Sequence, residues 1–407
     1  MEGNEKSQSH PLFKYVPVGS RGKPVGLHRE HAEPQWVQVW RYDSSQDQAP
    51  ASAGHADAVV GAIIELTGAV FELDGKKSED STASRPDDEW VFRGQEDSTW
   101  AVVPKSRRLH PDAKAPLSPF IGIEADLEDY LLMNALGEER PLLERICKAS
   151  RGQDRVTWAG FHAHGNGGAL LSILHRLRCA AEFQAVRDFA DVADDAGLVI
   201  HDRVADLPSG KELLVQDETQ WVPSRTTALA QHHGIATKLL DWTRRVKVAV
   251  YFATQPIQIS LSYEPVALAA VQPEKCAVWA LNMKGLSTLS YTDDRDMPYV
   301  RRLDCDHATN SFLHAQDGLF TWFDESQQRR YYCKHRCYPD LIEVLVAEGL
   351  NVPGVLKKFE IDRKIAHQLR QRLRADRISR ATVMPAYDHV SVSVQHRWLD
   401  LLRRVKS

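Results

Sequence analysis

The chain has 407 residues, 43% of them hydrophobic and 26% charged, with a formal net charge of −4. That length buries a sizeable core, in one large domain or in two to three ordinary ones, and the near-neutral charge excludes a chain built wholesale around nucleic acid. No window approaches the roughly 18 apolar residues of a membrane helix. The first residues, MEGNEKSQSHPLFKY, lack an apolar signal core, so a cytoplasmic location with reduced thiols is expected for the six cysteines.

Residues 1–55 form a polar segment rich in Pro, Gly, Ser and His. Within it Trp36–Trp40 reads as a strand and Asp43–Ala56 as a flexible linker. A single domain is expected from residue 56 to 407. Val59, Val60, Ile63 and Ile64 recur at helical spacing in Ala58–Leu66. Gly75–Asp88 reads as loop or disorder, and Glu89–Gly94 as a strand ending in glycine. The strongest helical patterning lies in residues 118–205. Leu127, Tyr130, Leu131, Leu132 and Ala135 make one face; Leu170, Leu171, Ile173, Leu174, Leu177 and Phe183 make another. A helical insertion over about residues 105–225 follows, with Asp191–Leu207 as an acidic, solvated helix end.

Thr226–His233 predicts a short helix that Gly234 closes in the left-handed conformation. Asp241 or Thr243 is placed to cap the next helix, which carries Val246, Ala249, Val250 and Ala253. Strands are predicted at Cys276–Asn282, Leu341–Val346 and Val355–Ile361. Asp362 is then expected to cap a helix burying Ile365, Leu369 and Leu373, and Val392–Val405 to form a last one. From Asp362 to Ser407 eleven Lys/Arg stand against four Asp, a basic C-terminal element. Short strands and helices alternate with neither a Rossmann rhythm nor an internal repeat, which indicates an α+β fold with a mixed sheet.

Phe92-Arg93-Gly94-Gln95 sets a guanidinium and an approachable backbone at a strand end, suited to phosphate or carboxylate; the plainer reading is a surface Arg before a turn. His232 and His233 supply acid, base or ligand chemistry, but adjacent helical residues point about 100° apart, so one of them is structural. Asp241-Trp242-Thr243 sits at a helix mouth. Its oxygens either cap the helix or face a ligand, with Trp242 as a stacking face. Gln316, Gly318 and Phe320 present an amide and a ring beside a turn. Cys305, His307, Cys333, His335 and Cys337 offer thiol and imidazole donors, but their spacing does not repeat as in a zinc site, and no metal is expected. Walker, GxSxG and HExxH motifs are absent from the sequence.

These blocks resemble the FRG domain. Phe92, Arg93, Gly94 and Gln95, then Trp100 and Pro104, match its first block. Leu229, Gln231, His232, Gly234, Thr237, Leu239, Leu240, Asp241 and Thr243 match the second, and Val248–Ala253 continues it. Later likenesses include Trp279–Asn282, Gln316, Gly318, Phe320, Lys358, Phe359, Ile361 and Pro385. Lys238 departs from the family's Arg, and the stretch from Lys105 to Arg225 is a long insertion.

The family pattern is in turn similar to the Arg–Ser–Glu layout of ADP-ribosyltransferases. The resemblance implies an ADP-ribosyltransferase-like core that takes NAD as substrate. Arg93 would grip phosphate, helped by Gly94 and Gln95; His232 and Thr243 would orient ribose or nicotinamide, near Trp242 and Phe320. Gln316 stands nearest the position of the transferases' catalytic acid, and an amide cannot carry that charge; Asp241 would be the acid if it faces the cleft, and otherwise the acid is elsewhere or catalysis has been lost or changed. The protein would transfer ADP-ribose to a macromolecule, nucleic acid included, or cleave NAD, and a defence or toxin role is implied by analogy. The alternatives are a non-catalytic FRG module that binds nucleic acid or nucleotide through the basic C-terminal helices, and a metal-dependent hydrolase using His232, His233 and Asp241.

Overall fold

The computed structural model describes residues 9–10, 13–16, 34, 36–42, 53–67, 90–108, 167–210, 212, 221–255, 273–284, 286, 300–305, 310–335, 337–386, 390 and 393–394. The described strands are β1 (Ser9–His10), β2 (Phe13–Val16), β3 (Gln38–Tyr42), β4 (Trp90–Gln95), β5 (Leu240–Thr243), β6 (Lys275–Asn282), β7 (Val300–Leu303), β8 (Gly318–Phe323) and β9 (Leu356–Asp362). The helices are α1 (Ala53–Thr67), α2 (Gly167–Asp195), α3 (Arg225–His232), α4 (Val246–Ala253), α5 (Ser311–Gln316), α6 (Glu325–His335), α7 (Leu341–Ala347), α8 (Ala366–Ala375) and α9 (Arg380–Val383). The strands form one mixed sheet in the order β1-β2-β3-β9-β6-β4-β5-β8-β7. β3 and β9 run parallel; the other neighbours are antiparallel.

Period-two alternation gives this sheet two buried faces. One presents Phe92, Val278, Ala280, Phe359 and Ile361 to α1, α4 and α8 through Val59, Ile63, Val250, Leu369 and Leu373. The other presents Val91, Trp279, Leu240, Trp242 and Leu319, and α7 closes it with Leu341, Ile342 and Leu345. The central strands therefore read as nearly continuous apolar runs in the sequence, as buried strands do.

The register of β4 and β5 decides the rest. β4 pairs with β6 along its whole length, from Trp90 opposite Asn282 to Gln95 opposite Ala277. β5 pairs fully with β8. Yet β4 and β5 meet only at Phe92 opposite Thr243. Past that pair the two strands diverge, and the sheet splits between residues 93–95 and 240–242.

Glycine 94 is fixed by contact with α4. A Cβ there would lie 2.1 Å from the Ala249 carbonyl oxygen and 2.5 Å from the Ala253 nitrogen. Both are backbone atoms in a helix and cannot step aside. The glycine of the Phe-Arg-Gly tripeptide thus lets α4 lie flat on β4. The expected ligand approach at this residue gives way to helix approach on that side of the strand.

Several expected elements take a different form. Leu341–Val346 is helical. Asp340 accepts from the Glu343 N–H and Glu343 from the Asp340 N–H, a capping box at 2.9 Å each. That box nucleates a helix from an apolar run short enough to pass for a strand. Neither Asp241 nor Thr243 caps α4: both lie in β5, and the cap position is Arg245, whose side chain makes no capping bond. Thr243 instead accepts the Arg245 N–H at 3.0 Å, shaping the turn. Asp362 likewise makes no side-chain cap, although Ile365, Leu369 and Leu373 are buried as expected. Gly234 closes α3 at φ 104°. Within the insertion, α2 is the described helix; of the apolar side chains predicted for it, Phe183 packs with Cys179 and Trp221. The face at residues 127–135, the loop at 75–88 and most of 392–405 lie outside the described residues. No helix is long and apolar enough to cross a membrane among those that are described.

Gly94→Ala is expected to destabilise the fold by about 1–3 kcal/mol or more, through over-filling against helix backbone. Chemical denaturation of both proteins measures it; equal midpoints and slopes would mean that α4 does not sit on β4.

Candidate functional site

The split in the sheet opens into a cleft of about 680 Å³, within the size range of small-molecule and cofactor sites. Its β4 wall carries Arg93, Gly94, Gln95 and Glu96, its β5 wall Asp241 and Thr243, and α4 contributes Tyr251 and Phe252. Among the described residues four cationic ones converge on it, Arg93, Lys105, Arg108 and Arg380, against two carboxyls, Glu96 and Asp241.

Arg93 spans the gap where ladder bonds stop. Its Nη1 donates to the Asp241 carbonyl oxygen at 2.9 Å and lies 2.9 Å from Asp241 Oδ1. One guanidinium thus satisfies a carbonyl left beside the break and pairs with the same residue's carboxylate. The Arg93 Nε is buried without a hydrogen-bond partner among the described residues. Gln231 also donates to Asp241 Oδ1, at 3.2 Å. Desolvation acts to raise the Asp241 pKa, but the charge and hydrogen bond of Arg93 outweigh it and hold the carboxyl below its ordinary range. Half of the Asp241 side chain, 51%, stays open, so an ionised carboxylate faces the cleft instead of capping a helix. Arg108 is pushed down to about 10, by desolvation first and then by the nearby Arg93 charge. Two guanidiniums crowded around one carboxylate favour an added anion.

Glu96 completes the set and was not singled out from the sequence. Burial raises its carboxyl to about 7, with Arg363 pulling it back only in part. The cleft therefore holds two carboxyls with separated titrations, one ionised and one poised near neutrality, the arrangement by which acid and base roles are divided. The available signal was position: Glu96 directly follows the Phe-Arg-Gly-Gln block. Arg108 and Arg380 were hidden, the one at the start of the insertion and the other as one charge among many in a basic run.

The remaining predicted site residues are placed as follows. Thr243 is buried, and its hydroxyl donates to the Gln316 carbonyl oxygen. Gln316 reaches the cleft wall, with its amide nitrogen donating to the Val383 carbonyl at 3.3 Å. The Gln95 side chain is turned into the core, accepting from the Trp279 indole at 2.6 Å. The Trp242 ring belongs to the α7 side of the sheet and donates to Thr321 Oγ1 at 2.9 Å, so it offers no stacking face. Phe320 is fully buried under α3 with Leu239 and Trp322. His232 is absent from the cleft lining. It stands between Phe312 and Phe320, with ring centroids 6.0 and 5.5 Å away. Desolvation lowers its imidazole to about 4; the Asp241 charge opposes this and the His233 charge adds to it.

Behind the cleft lies a buried ionic cluster. Arg107 donates to Glu182 and to Glu325, both at 2.8 Å, and its side chain is completely buried. Lys238 Nζ lies 3.2 Å from Glu325 and its backbone N–H donates to Glu182 at 2.6 Å. Lys238 thus serves as a buried point charge, also stacked over Phe183 and Trp322 at 4.8 and 5.1 Å. His175, Cys179 and Glu325 bring three metal-type donors within 4.8 Å of one another. Two cations already occupy Glu325, and burial raises the Cys179 thiol well above its usual value, so this donor set suits an ion-pair network better than a cation. Cys305, Cys333, His335 and Cys337 do not converge among the described residues, and His307 lies outside them.

Residues 204–260 match the family model of the FRG domain. The match spans α3, β5 and α4, hence the Asp241 wall of the cleft, while Phe92-Arg93-Gly94 lies upstream of it. No curated protein and no solved structure matches the chain.

Removing one partner from a buried ion cluster leaves an uncompensated charge. Arg107→Met is therefore expected to cost about 3–5 kcal/mol, read by denaturant titration. Acid sensitivity follows from the same cluster. Burial holds His175 down to about 3 from 6.5, and Glu325 lies at about 2 instead of 4.5 because Arg107 and Lys238 outweigh its desolvation. In both cases the unfolded chain takes the proton first, so stability is lost as pH falls, from about 6.5 for His175 and from about 4.5 for Glu325. His175→Gln should reduce the slope between pH 6.5 and 4.5 by up to about 1.4 kcal/mol per pH unit, one proton's worth. An unchanged slope would remove His175 from the account.

Proposed function

We propose that this FRG-domain chain binds NAD in the split-sheet cleft and transfers its ADP-ribose to a macromolecule or to water. The observation that carries the reading is the meeting of four cations with two carboxyls of opposed titration in one cleft of nucleotide size. Arg93, Lys105, Arg108 and Arg380 suit a pyrophosphate, which needs fixed donors and net positive charge. The ionised Asp241, held by Arg93, stabilises positive charge that develops on the ribose as the bond from its C1 to the nicotinamide nitrogen breaks. Nicotinamide leaves with the bonding electron pair. The acceptor's nucleophilic atom bonds to C1, and its proton passes to Glu96, whose carboxyl burial raises to about 7. Gln316 and Thr243 support the wall without chemistry of their own, and His232 stays outside the reaction.

The alternative, a nucleic-acid module using the basic C-terminal helices, has weaker support. Arg363 donates to the Glu96 and Gln255 carbonyls, Arg370 to Thr254, and Arg372 pairs with Asp57. Those charges are engaged within the fold. A defence or toxin role rests on the family resemblance alone.

The test is incubation with labelled NAD and cell extract, following nicotinamide release and label transfer. Glu96→Gln should lower turnover by about 10²-fold or more, the usual share of a positioned acid or base. It should also abolish a limb near pH 7 in the pH–rate profile. Arg93→Ala should weaken NAD binding. No release and no transfer under any condition sinks the enzyme reading, whereas activity surviving Glu96→Gln, Arg93→Ala and Asp241→Ala sinks the residue assignment.

A further inference from the structure

Glu96 and Asp241 line the cleft together with Arg93, Lys105, Arg108 and Arg380. The two carboxyls answer a newly arrived charge differently. Asp241 is paired with Arg93 at 2.9 Å and held ionised, so it takes no proton near neutrality. Glu96 has no such lock. Burial raises its carboxyl to about 7, and the Arg363 charge offsets this only in part.

The chain around Glu96 is fixed on several sides. Arg363, at the corner between β9 and α8, donates from Nε to the Glu96 carbonyl oxygen at 3.2 Å and from Nη1 to the Gln255 carbonyl oxygen at 2.8 Å. Asp97, next in the chain, is turned onto Thr99, accepting its N–H at 2.8 Å and its hydroxyl at 2.7 Å. On β6 the Lys275 carbonyl accepts the Ser98 N–H at 3.0 Å, while the Lys275 ammonium lies 3.9 Å from Glu360. From α4 come Gln255 and Tyr251, whose hydroxyl burial raises to about 12. Glu96 is thus pinned at the cleft wall through its main chain, and cannot withdraw when a ligand enters.

An anion drawn in by the four cations is a like charge for Glu96. A space of about 680 Å³ is about 9 Å across, close to the Debye length of about 8 Å at physiological salt, so ions in solution screen the encounter little. A like charge at such range favours the protonated carboxyl. The coupling is reciprocal: whatever the anion adds to the proton affinity of Glu96, protonation of Glu96 adds to the affinity for the anion.

We propose that an anionic ligand enters this cleft together with one proton, which the Glu96 carboxylate receives from the solvent. The ligand class is a pyrophosphate diester, and for that identity the inference rests on the dinucleotide reading; it does not rest on the reaction. In the complex Glu96 holds a proton that it must lose before it acts as a base. The limb for kcat then lies at higher pH than the limb for kcat/KM, since the first reports the complex and the second the free protein.

The experiment is calorimetric titration of the full chain with ADP-ribose at pH 6, 7 and 8, each in two buffers of different ionisation enthalpy. The pyrophosphate of ADP-ribose takes up no proton in that range. Affinity should fall by roughly fivefold or more from pH 6 to pH 8, within the limit of about tenfold per pH unit set by one linked proton. The difference between buffers should report proton uptake. Glu96→Gln, checked for folding by circular dichroism and melting, should bind with an affinity independent of pH and with no proton uptake. A flat profile in the wild type, or a slope that survives Glu96→Gln, overturns the proposal. Should the variant not fold, the wild type decides. Among its glutamate side-chain carboxyl 13C signals, the one titrating near 7 should move its midpoint up when ADP-ribose is bound, and a midpoint that stays in place overturns the coupling. If ADP-ribose does not bind, the dinucleotide reading falls and sulfate, a dianion throughout the range, becomes the probe. Sulfate binding whose pH dependence is lost in Glu96→Gln supports the coupling; binding without that dependence, or no binding, overturns it.

Discussion

The buried contact among Arg107, Glu182, Glu325 and Lys238 ties together parts of the chain that the sheet alone would not hold. Arg107 comes from the short 3₁₀ turn at Lys105–Arg107, Glu182 from α2, Glu325 from the first turn of α6, and Lys238 from the approach to β5. A charge taken out of water is tolerated only with its partners in place, so the cluster permits little variation in how these four segments meet. Its neighbours in sequence are cleft residues. Lys105 and Arg108 flank Arg107, and Asp241 follows three residues after Lys238. The geometry of the cleft is set from behind, by salt bridges whose residues do not line it.

The front of the cleft obeys a different constraint. β4 and β5 share one registered pair and then part, so Arg93 bridges them where hydrogen bonds would otherwise run. Its grip on both the carbonyl and the carboxylate of Asp241 keeps that side chain ionised and aimed into open space. Glu96, one residue past the end of β4, lies in a poorer solvent for charge and titrates near neutrality. Environments produced by the fold thus give two carboxyls in one space distinct electrostatic roles. Lys238 belongs to the buried cluster, where it pairs with Glu325 and Glu182.

Local signals in the sequence were legible wherever local forces decide. The 3.6-residue stripe of α1 and the glycine closing α3 follow from patterning and backbone freedom. The runs at Trp90–Gln95 and Lys275–Asn282 could be read as strands because both of their faces are buried. Leu341–Val346 is a short apolar run that fits either period; what decides it is a box opened by Asp340, one residue outside the run, and closed by Glu343 within it. Pairings of distant segments were out of reach. Arg107 and Glu325 are 218 residues apart, and Asp241 reads equally well as a cap or as a strand residue until β8 is laid beside it. The adjacent histidines drew attention because imidazole is versatile chemistry, yet His232 is a ring between two phenylalanines.

A cleft cut between strands has a further property. Most sites are built from side chains, and any of those can be exchanged. Where β4 and β5 share only one pair, their strands still carry peptide groups at fixed spacing, present whatever residues occupy the positions. Recognition through such groups is written in the chain's path, not in its alphabet. Alanine scanning of this cleft would accordingly report only the side-chain share of any grip on the proposed ligand, and a drifting sequence could keep the rest for as long as the strands keep their path.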